Sequence, residues 1–280
     1  MTVAEAIARG RAALLRAGIP AEEAPGDAEV LARHALGWDL TRLAVSARDA
    51  APAAFAGDYA ALIGRRIARE PVSQIVGHRE FWGLEFNVTR DVLTPRPETE
   101  TLVQAALDTI DRQHTAVVAD VGTGSGCIAV ALAVERPALR LVASDVSAAA
   151  LAVARANARR HGAGGRIAFV QTDLVPTNDV DLVVSNPPYL ARRDGASLPP
   201  EVRDYEPHVA LFGGEDGLDV YRRLVADARG SIASGGSLIV EVGYDQADAV
   251  ATLAAAAGWR RAEVRRDLQG IERVLVLQSI

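Results

Sequence analysis

The chain has 280 residues, of which 49% are hydrophobic and 24% charged, with a formal net charge of -6. That composition excludes a disordered or collagen-like chain, no apolar run reaches the roughly 18 residues of a membrane span, and the acidic balance lacks the basic footprint of a nucleic-acid backbone binder. The single cysteine, Cys127, excludes an internal disulfide, the complete absence of lysine excludes Schiff-base chemistry, and no His or Cys cluster has metal-ligand spacing.

The N-terminus is amphipathic and carries Glu5 instead of the apolar stretch and cleavage site of a signal peptide, so a cytoplasmic protein is expected. Residues 1–72 place Val30, Leu31, Leu36, Leu40 and Leu43, then Tyr59, Leu62, Ile63 and Ile67, at helical spacing, with breaks at Gly18 to Pro20, Gly37 and Pro52. This predicts a small N-terminal helical bundle. Residues 73–95 change period: His78 to Trp82, a break at Gly83, and Leu84 to Val88 alternate like a β-hairpin connecting two domains. Residues 96–280 then alternate strand and helix patterns, which predicts an α/β fold with a doubly wound, mostly parallel sheet. Strands are expected over 116–121, 139–144, 166–172, 180–185, 237–242, 260–267 and 272–279, with helices starting near Ser125, Ala148 and Leu218. The last two strands are separated by only Leu268 to Ile271, too few residues for a helical crossover, so they are expected to pair antiparallel. The stretch 191–217 has little periodicity and is long for a connection, and it reads as a substrate-binding lid.

Two motifs carry chemistry. The first is Asp120-Val121-Gly122-Thr123-Gly124-Ser125-Gly126, a buried strand running into a glycine-rich turn that lets the backbone approach a ligand. Asp145, ending the next strand, is placed to accept ribose hydroxyls, and Asp173, ending the third, to meet an adenine amino group. A dinucleotide fingerprint asks for Gly or Ala at the sixth position, where this chain has Cys127. Glycine spacing alone discriminates weakly. The Gly-x-Gly-x-Gly pattern behind Asp120 suits a cofactor without phosphates and with a cationic amino group, such as S-adenosylmethionine. Cys127 itself reads as a small buried helix residue.

The second motif is Asn186-Pro187-Pro188-Tyr189, directly after the apolar run Val180 to Ser185 and hence at the C-terminal end of a strand, where open α/β sheets bind ligands. Two prolines remove backbone donors and leave carbonyls free to accept. The Asn186 oxygen adds an acceptor and Tyr189 a ring face. Together they suit a grip on a flat, conjugated NH2 group whose weakly nucleophilic nitrogen is alkylated. Adenine and glutamine both present such a group. Arg96 and Glu98 lie between hairpin and sheet, with two readings open: a solvated surface pair, or residues that close the pocket over cofactor and substrate.

The chain closely resembles, nearly end to end, the release-factor glutamine methyltransferases, the protein N5-glutamine methyltransferases of bacterial class 1 peptide chain release factors. The resemblance rests on Asp27 to Leu31, Pro71 to Gly77, Phe81-Trp82-Gly83, Leu93 to Glu100, Asp120 to Gly126, Ser185 to Tyr189, Tyr205-Glu206-Pro207 and Gly213 to Leu218. The glycine and Asn-Pro-Pro-Tyr motifs are common to many amino-methyltransferases, whereas the segments around Arg96 to Thr99 and Tyr205 to Pro207 are specific to this family. It implies a seven-stranded class I S-adenosylmethionine-dependent methyltransferase sheet acting as a monomer. Gly122, Thr123, Gly124, Ser125, Gly126 and Asp145 would bind S-adenosylmethionine together with Asp173 and Leu174, the latter standing where some relatives carry an adenine-stacking tryptophan. Asn186 would touch cofactor and substrate, Pro187, Pro188 and Tyr189 would complete the amide site, and Arg96 and Glu98 would contact substrate. The implied reaction methylates the glutamine of the Gly-Gly-Gln motif. Competing readings are a ribosomal-protein glutamine target, an adenine-N6 methyltransferase of nucleic acid, and a noncatalytic cofactor-binding adaptor. The charge-balanced bundle and the lack of a large target-recognition region weigh against nucleic acid.

Overall fold

A computed structural model describes residues 1–113 and 117–279, and the chain divides into two compact units: Met1–Gly77 with Pro199–Tyr205, and His78–Leu198 with Glu206–Ile280. Ala116, placed at the start of the first expected sheet strand, lies outside the described residues.

The first unit contains α1 (Val3–Arg16), α2 (Ala24–Leu36), α3 (Leu40–Ser46), α4 (Phe55–Ile67) and α5 (Val72–Val76). Its helix ends are chemically marked. Thr2 and Glu5 form a reciprocal capping box at the start of α1, and Gly37 closes α2 in the left-handed conformation. The apolar faces meet in a core of Leu14, Leu31, Phe55, Tyr59 and Ile63, in which the Phe55 and Tyr59 rings stack at 5.1 Å. The Tyr59 hydroxyl donates to the Ala28 carbonyl at 2.9 Å, so its polar tip is satisfied inside the core.

The 191–217 stretch carries more local structure than its sequence suggests: 3-10 turns at Arg192–Ser197 and His208–Ala210 flank a short helix, α9 (Pro200–Tyr205), which belongs to the helical unit. Polar contacts hold it there. Glu201 accepts from Arg66 Nη1 at 2.6 Å, Gln74 Nε2 donates to the Tyr205 carbonyl at 3.0 Å, and the Tyr205 hydroxyl donates to the Ala68 carbonyl at 2.7 Å. A periodicity search misses this helix because none of its six residues is fully buried.

The second unit opens with the hairpin β1 (His78–Phe81) and β2 (Leu84–Asn87), turned by Trp82 and Gly83, both at positive φ as a tight two-residue turn requires. Phe81 and Phe86 fold back into the core of this unit. Then follow α6 (Glu100–Gln113), β3 (Val117–Val121), α7 (Cys127–Glu135), β4 (Arg140–Asp145), α8 (Ala148–Arg160), β5 (Ile167–Gln171), β6 (Val180–Ser185), α10 (Asp219–Ser231), β7 (Ile232–Glu241), α11 (Ala247–Ala256), β8 (Trp259–Arg266) and β9 (Glu272–Ser279). Seven strands run in the order β5-β4-β3-β6-β7-β9-β8, the first five parallel and β9 antiparallel to both neighbours. The expected doubly wound, mostly parallel sheet with an antiparallel end pair is therefore present. Strand β7 begins at Ile232, ahead of the expected 237, because Ser234-Gly235-Gly236 hides its pattern and the register with β6 shifts between Val180 and Leu182. Two sheet helices without a predicted start, α6 and α11, complete the layers.

Strand order reverses between β3 and β6, where the chain leaves β3 toward one side and β6 toward the other. Such a switch point opens a crevice beyond the carboxyl ends of the strands. The glycine loop and Asn186 to Tyr189 emerge on either side of it, and the Ser185 hydroxyl donates to the Val121 carbonyl at 2.7 Å, joining the two strand ends.

Candidate active site

A cavity of about 700 Å³ occupies this crevice within the second unit. Its floor is the turn after β3. Gly122, Gly124 and Gly126 all have positive φ, and the Gly122 and Thr123 amides both donate to the Ser144 carbonyl, at 2.9 and 2.8 Å. The loop is thereby pinned to the end of β4. At Gly126 the need for glycine is steric as well as conformational: an added Cβ would lie 3.0 Å from Ala154 Cβ, so α7 and α8 could not pack as closely.

Two carboxyl groups organise the loop in different ways. Asp145 accepts from the Gly124 amide through Oδ2 and from the Ser147 amide through Oδ1, each at 2.9 Å, and its carboxylate lines the cavity. Asp120 lies beneath the loop, fully buried, with Oδ2 accepting from Thr123 Oγ1 at 2.6 Å and from the Ala129 amide at 3.2 Å. Burial pushes the Asp120 carboxyl up to about 7, because two hydrogen bonds to one oxygen do not replace the lost hydration. Cys127 is buried at the head of α7, and burial lifts its thiol to about 12, far from a reactive thiolate.

On the far wall, Leu174 takes an uncommon left-handed conformation with φ of 66°, and its carbonyl accepts from the Ser144 hydroxyl at 2.9 Å. That turn presents an aliphatic side chain to the cavity. Asp173 also lines it and is ion-paired with Arg223 of α10.

The opposite wall carries Asn186, Pro187 and Pro188. Asn186 Nδ2 donates to Thr99 Oγ1 at 3.1 Å, and Gln246 Nε2 donates to the Tyr189 carbonyl at 2.9 Å. Behind Asn186 stands Glu241, the last residue of β7 and 2% exposed. Burial raises its carboxyl to about 7 against the opposing pull of Thr99, Arg273 and Asn186.

Arg96 is part of the cavity wall but does not form the solvated pair with Glu98 that its sequence neighbourhood suggests. Its guanidinium binds the buried Glu206 carboxylate at 2.6 Å, and Glu206 also accepts from the Thr94 amide at 3.4 Å. The segments around Arg96 and Glu206, singled out separately in sequence, thus meet at one edge of the site.

Of the sequence-predicted residues, Gly122, Thr123, Gly124, Ser125, Asp145, Asp173, Leu174, Asn186, Pro187, Pro188 and Arg96 surround one cavity. Gly126, Glu98 and Tyr189 are not part of its lining. Tyr189 packs against the core formed by β6, β7 and α10, and burial beside Glu241 lifts its hydroxyl to about 12. Glu241 and Gln246 are functional candidates that pattern reading missed. The signal for Glu241 is a carboxylate ending the apolar run Leu238 to Val240, the same device as Asp145 ending β4.

A five-strand parallel core, a glycine turn at its switch point and a wall of Asn186, Pro187 and Pro188 define a class I methyltransferase. The architecture is shared with the hMettl16 catalytic domain in complex with MAT2A 3'UTR hairpin 6, at a TM-score of 0.60 and 16% identity over 74% of this chain and 81% of that one. It is shared also with a methyltransferase from Pyrococcus furiosus, at a TM-score of 0.52 and 14% identity over 71% and 90%. Residues 99–198 match the methyltransferase small domain and residues 5–77 the PrmC N-terminal domain. The chain is 46% identical to the release factor glutamine methyltransferase of Cereibacter sphaeroides over 98% of both chains. The Burkholderia pseudomallei protein of the same name is 49% identical over 88% of this chain and 89% of its own, and that of Moorella thermoacetica 43% over 98% and 97%. This chain belongs to the release factor glutamine methyltransferase family. Among its described residues no helix is long and apolar enough to cross a membrane.

Proposed function

We propose that this protein transfers a methyl group from S-adenosylmethionine to the side-chain nitrogen of the glutamine in the Gly-Gly-Gln motif of class 1 peptide chain release factors. The carrying observation is Asn186 with its Nδ2 engaged by Thr99 beside Pro187 and Pro188, across one cavity from the glycine loop. That arrangement leaves acceptors, and few donors, on the wall where an amide NH2 would sit.

The cavity residues fit the cofactor. Asp145 accepts only two backbone amides and has lone pairs left for ribose hydroxyls, and Leu174 offers an aliphatic cover for a purine. S-adenosylmethionine supplies an electrophilic methyl group. The glycine loop, Asp145 and Leu174 would hold it, and Arg96 with its Glu206 anchor would close the edge.

A carboxamide nitrogen is a poor nucleophile because its lone pair is delocalised into the carbonyl. Asn186 Oδ1 and the Pro187 carbonyl would each accept one N–H, which raises electron density on nitrogen, fixes its direction and stabilises positive charge as it develops. Gln246 occupies the Tyr189 carbonyl, so that oxygen is withdrawn from competition. Tyr189 supports the loop from its core side.

The test is incubation with S-adenosylmethionine and, in separate reactions, a release factor, a ribosomal protein fraction and duplex DNA, read by mass spectrometry. One methyl on the Gly-Gly-Gln glutamine is expected, and labelling confined to DNA or to the ribosomal fraction overturns the reading. Asn186→Ala is expected to abolish transfer while leaving most of the affinity for S-adenosylhomocysteine.

A further inference from the structure

Prolines bring no backbone donors of their own, so a loop that presents carbonyls in fixed directions has to be held from outside. Upstream, Asn186-Pro187-Pro188-Tyr189 is anchored by β6, whose last residue, Ser185, pairs with Val121 and Val240. Downstream, the Leu190 amide donates to the Leu211 carbonyl and the Leu190 carbonyl accepts from the Gly213 amide, each at 2.9 Å. Between these anchors both prolines have φ locked, and Asn186 and Pro187, each preceding a proline, are confined to extended conformations. The direction of the Pro187 carbonyl then turns on how the chain is held at Tyr189.

There a side chain takes over. Gln246 accepts from the Gly243 amide through Oε1 at 3.2 Å and donates through Nε2 to the Tyr189 carbonyl at 2.9 Å. A backbone N–H only donates and a backbone carbonyl only accepts, so reversing the amide would break both bonds and its orientation is fixed. Two buried glycines close over it. A Cβ at Gly217 would overlap the Tyr189 carbonyl oxygen and lie 2.9 Å from Gln246 Nε2, and one at Gly243 would lie 2.7 Å from Gln246 Oε1 and 3.2 Å from the Tyr189 ring. Backbone this close leaves little room for water to stand in for the amide. Gln246 is also the N-cap of α11, yet its side chain makes no capping bond. Its polar end serves the loop and not its own helix.

We propose that Gln246 is a positioning residue for methyl transfer, its side-chain amide tying the Tyr189 carbonyl to the turn before α11 and thereby aiming the Pro187 carbonyl at the substrate NH2. This inference rests on the methyl-transfer reading of the site.

Kinetics with a release factor and S-adenosylmethionine test it. Gln246→Met, which removes both hydrogen bonds, is expected to lower kcat about tenfold or more while KM and S-adenosylhomocysteine affinity stay within about twofold, the signature of bound but misdirected reactants. Gln246→Glu adds a readout that mere loss of packing would not move. As a carboxylic acid it accepts from Gly243 and donates to Tyr189 as glutamine does, whereas as a carboxylate it has no proton for the Tyr189 carbonyl. The charges that bear on Tyr189, from Glu241, Arg273, Arg96 and Glu98, and that of Asp245 on the same turn, are common to both variants, so the ratio of kcat for Gln246→Glu to that for Gln246→Met removes their titration. That ratio is expected to rise about twofold or more from pH 8 to pH 5. In the wild type, the Gln246 side-chain NH2, assigned by its loss in Gln246→Glu, is expected to exchange with solvent about tenfold or more slower than that of the exposed Gln269. Wild-type kcat in Gln246→Met, a parallel loss of cofactor affinity, a kcat ratio independent of pH, or exchange at the Gln269 rate would each overturn the proposal. A wild type that methylates no release factor sinks the functional reading and this inference with it, whereas an active wild type beside unimpaired variants sinks this inference alone.

Discussion

Arg66 sits on α4 with its side chain 3% exposed, and its three nitrogens reach three carboxylates: Nε to Asp27 at 2.7 Å, Nη1 to Glu201 at 2.6 Å and Nη2 to Glu23 at 2.9 Å. Replacement by methionine keeps much of the stem volume and removes the charge. The partners decide the cost. Glu23 is 51% exposed, so water replaces its lost partner and the contribution is near zero. Glu201, 15% exposed, keeps Arg69 at 2.9 Å. Asp27, 18% exposed, is left with no ion-pair partner among the described residues. Breaking a fully buried pair costs about 3–5 kcal/mol, and partial solvation of these carboxylates places Arg66→Met at about 3 kcal/mol. Denaturant unfolding can isolate this unit optically: of the three tryptophans only Trp38 lies in it, so a Trp82→Phe, Trp259→Phe background reports on the helical unit alone. Adding Asp27→Asn and Glu201→Gln to Arg66→Met is expected to restore most of the loss, because no uncompensated charge then remains buried. A cost below about 1 kcal/mol for Arg66→Met, or a triple variant less stable than the single one, would refute the argument.

Two further perturbations probe the second unit. Gly217 has φ of 79°, and a Cβ there would overlap the Tyr189 carbonyl oxygen and approach Gln246 Nε2 to 2.9 Å, so Gly217→Ala is expected to cost roughly 2–4 kcal/mol and to lower turnover by moving the Asn-Pro-Pro-Tyr backbone. Thermal unfolding with methyl-transfer kinetics checks it, and an unaltered melting temperature would remove the steric account. Burial holds the Asp120 carboxyl at about 7 in the folded chain, above the ordinary aspartate value of 3.8. The native state therefore holds a proton that the unfolded state has released between about pH 4 and 7, and stability falls as pH rises through that window. Asp120→Asn removes this slope, so its stability relative to the wild type is expected to rise by up to about 4 kcal/mol from pH 4 to 8, and a difference independent of pH would contradict the placement of Asp120.

Much of the site was legible in sequence because its parts are local. A glycine turn after an apolar run announces itself through backbone conformations that other residues adopt with difficulty, and Asn186-Pro187-Pro188-Tyr189 through donors that proline lacks. Asp145 and Asp173 could be placed because the first ends β4 and the second follows β5 by two residues, and both strands have a readable pattern. Glu98 and Tyr189 show what such reading leaves open: adjacency in sequence put them with their neighbours, while the cavity lining does not include them. Helix α9 was illegible for a different reason, since ion pairs and hydrogen bonds hold it where periodicity would need burial.

The sequence by itself determined the helical N-terminal segment, the doubly wound sheet and the switch-point loops, because hydrophobic period and turn chemistry act over a few residues. The tertiary structure alone decided which distant groups meet. Arg96 finds Glu206 across 110 positions, Arg66 finds Glu201 across 135, and Asn186 finds Thr99 across 87. The physical reason is the register of β3, β6 and β7: their carboxyl ends align only when the sheet is assembled, and Ser185 pairing with Val240 sets Asn186 and the buried Glu241 at one edge.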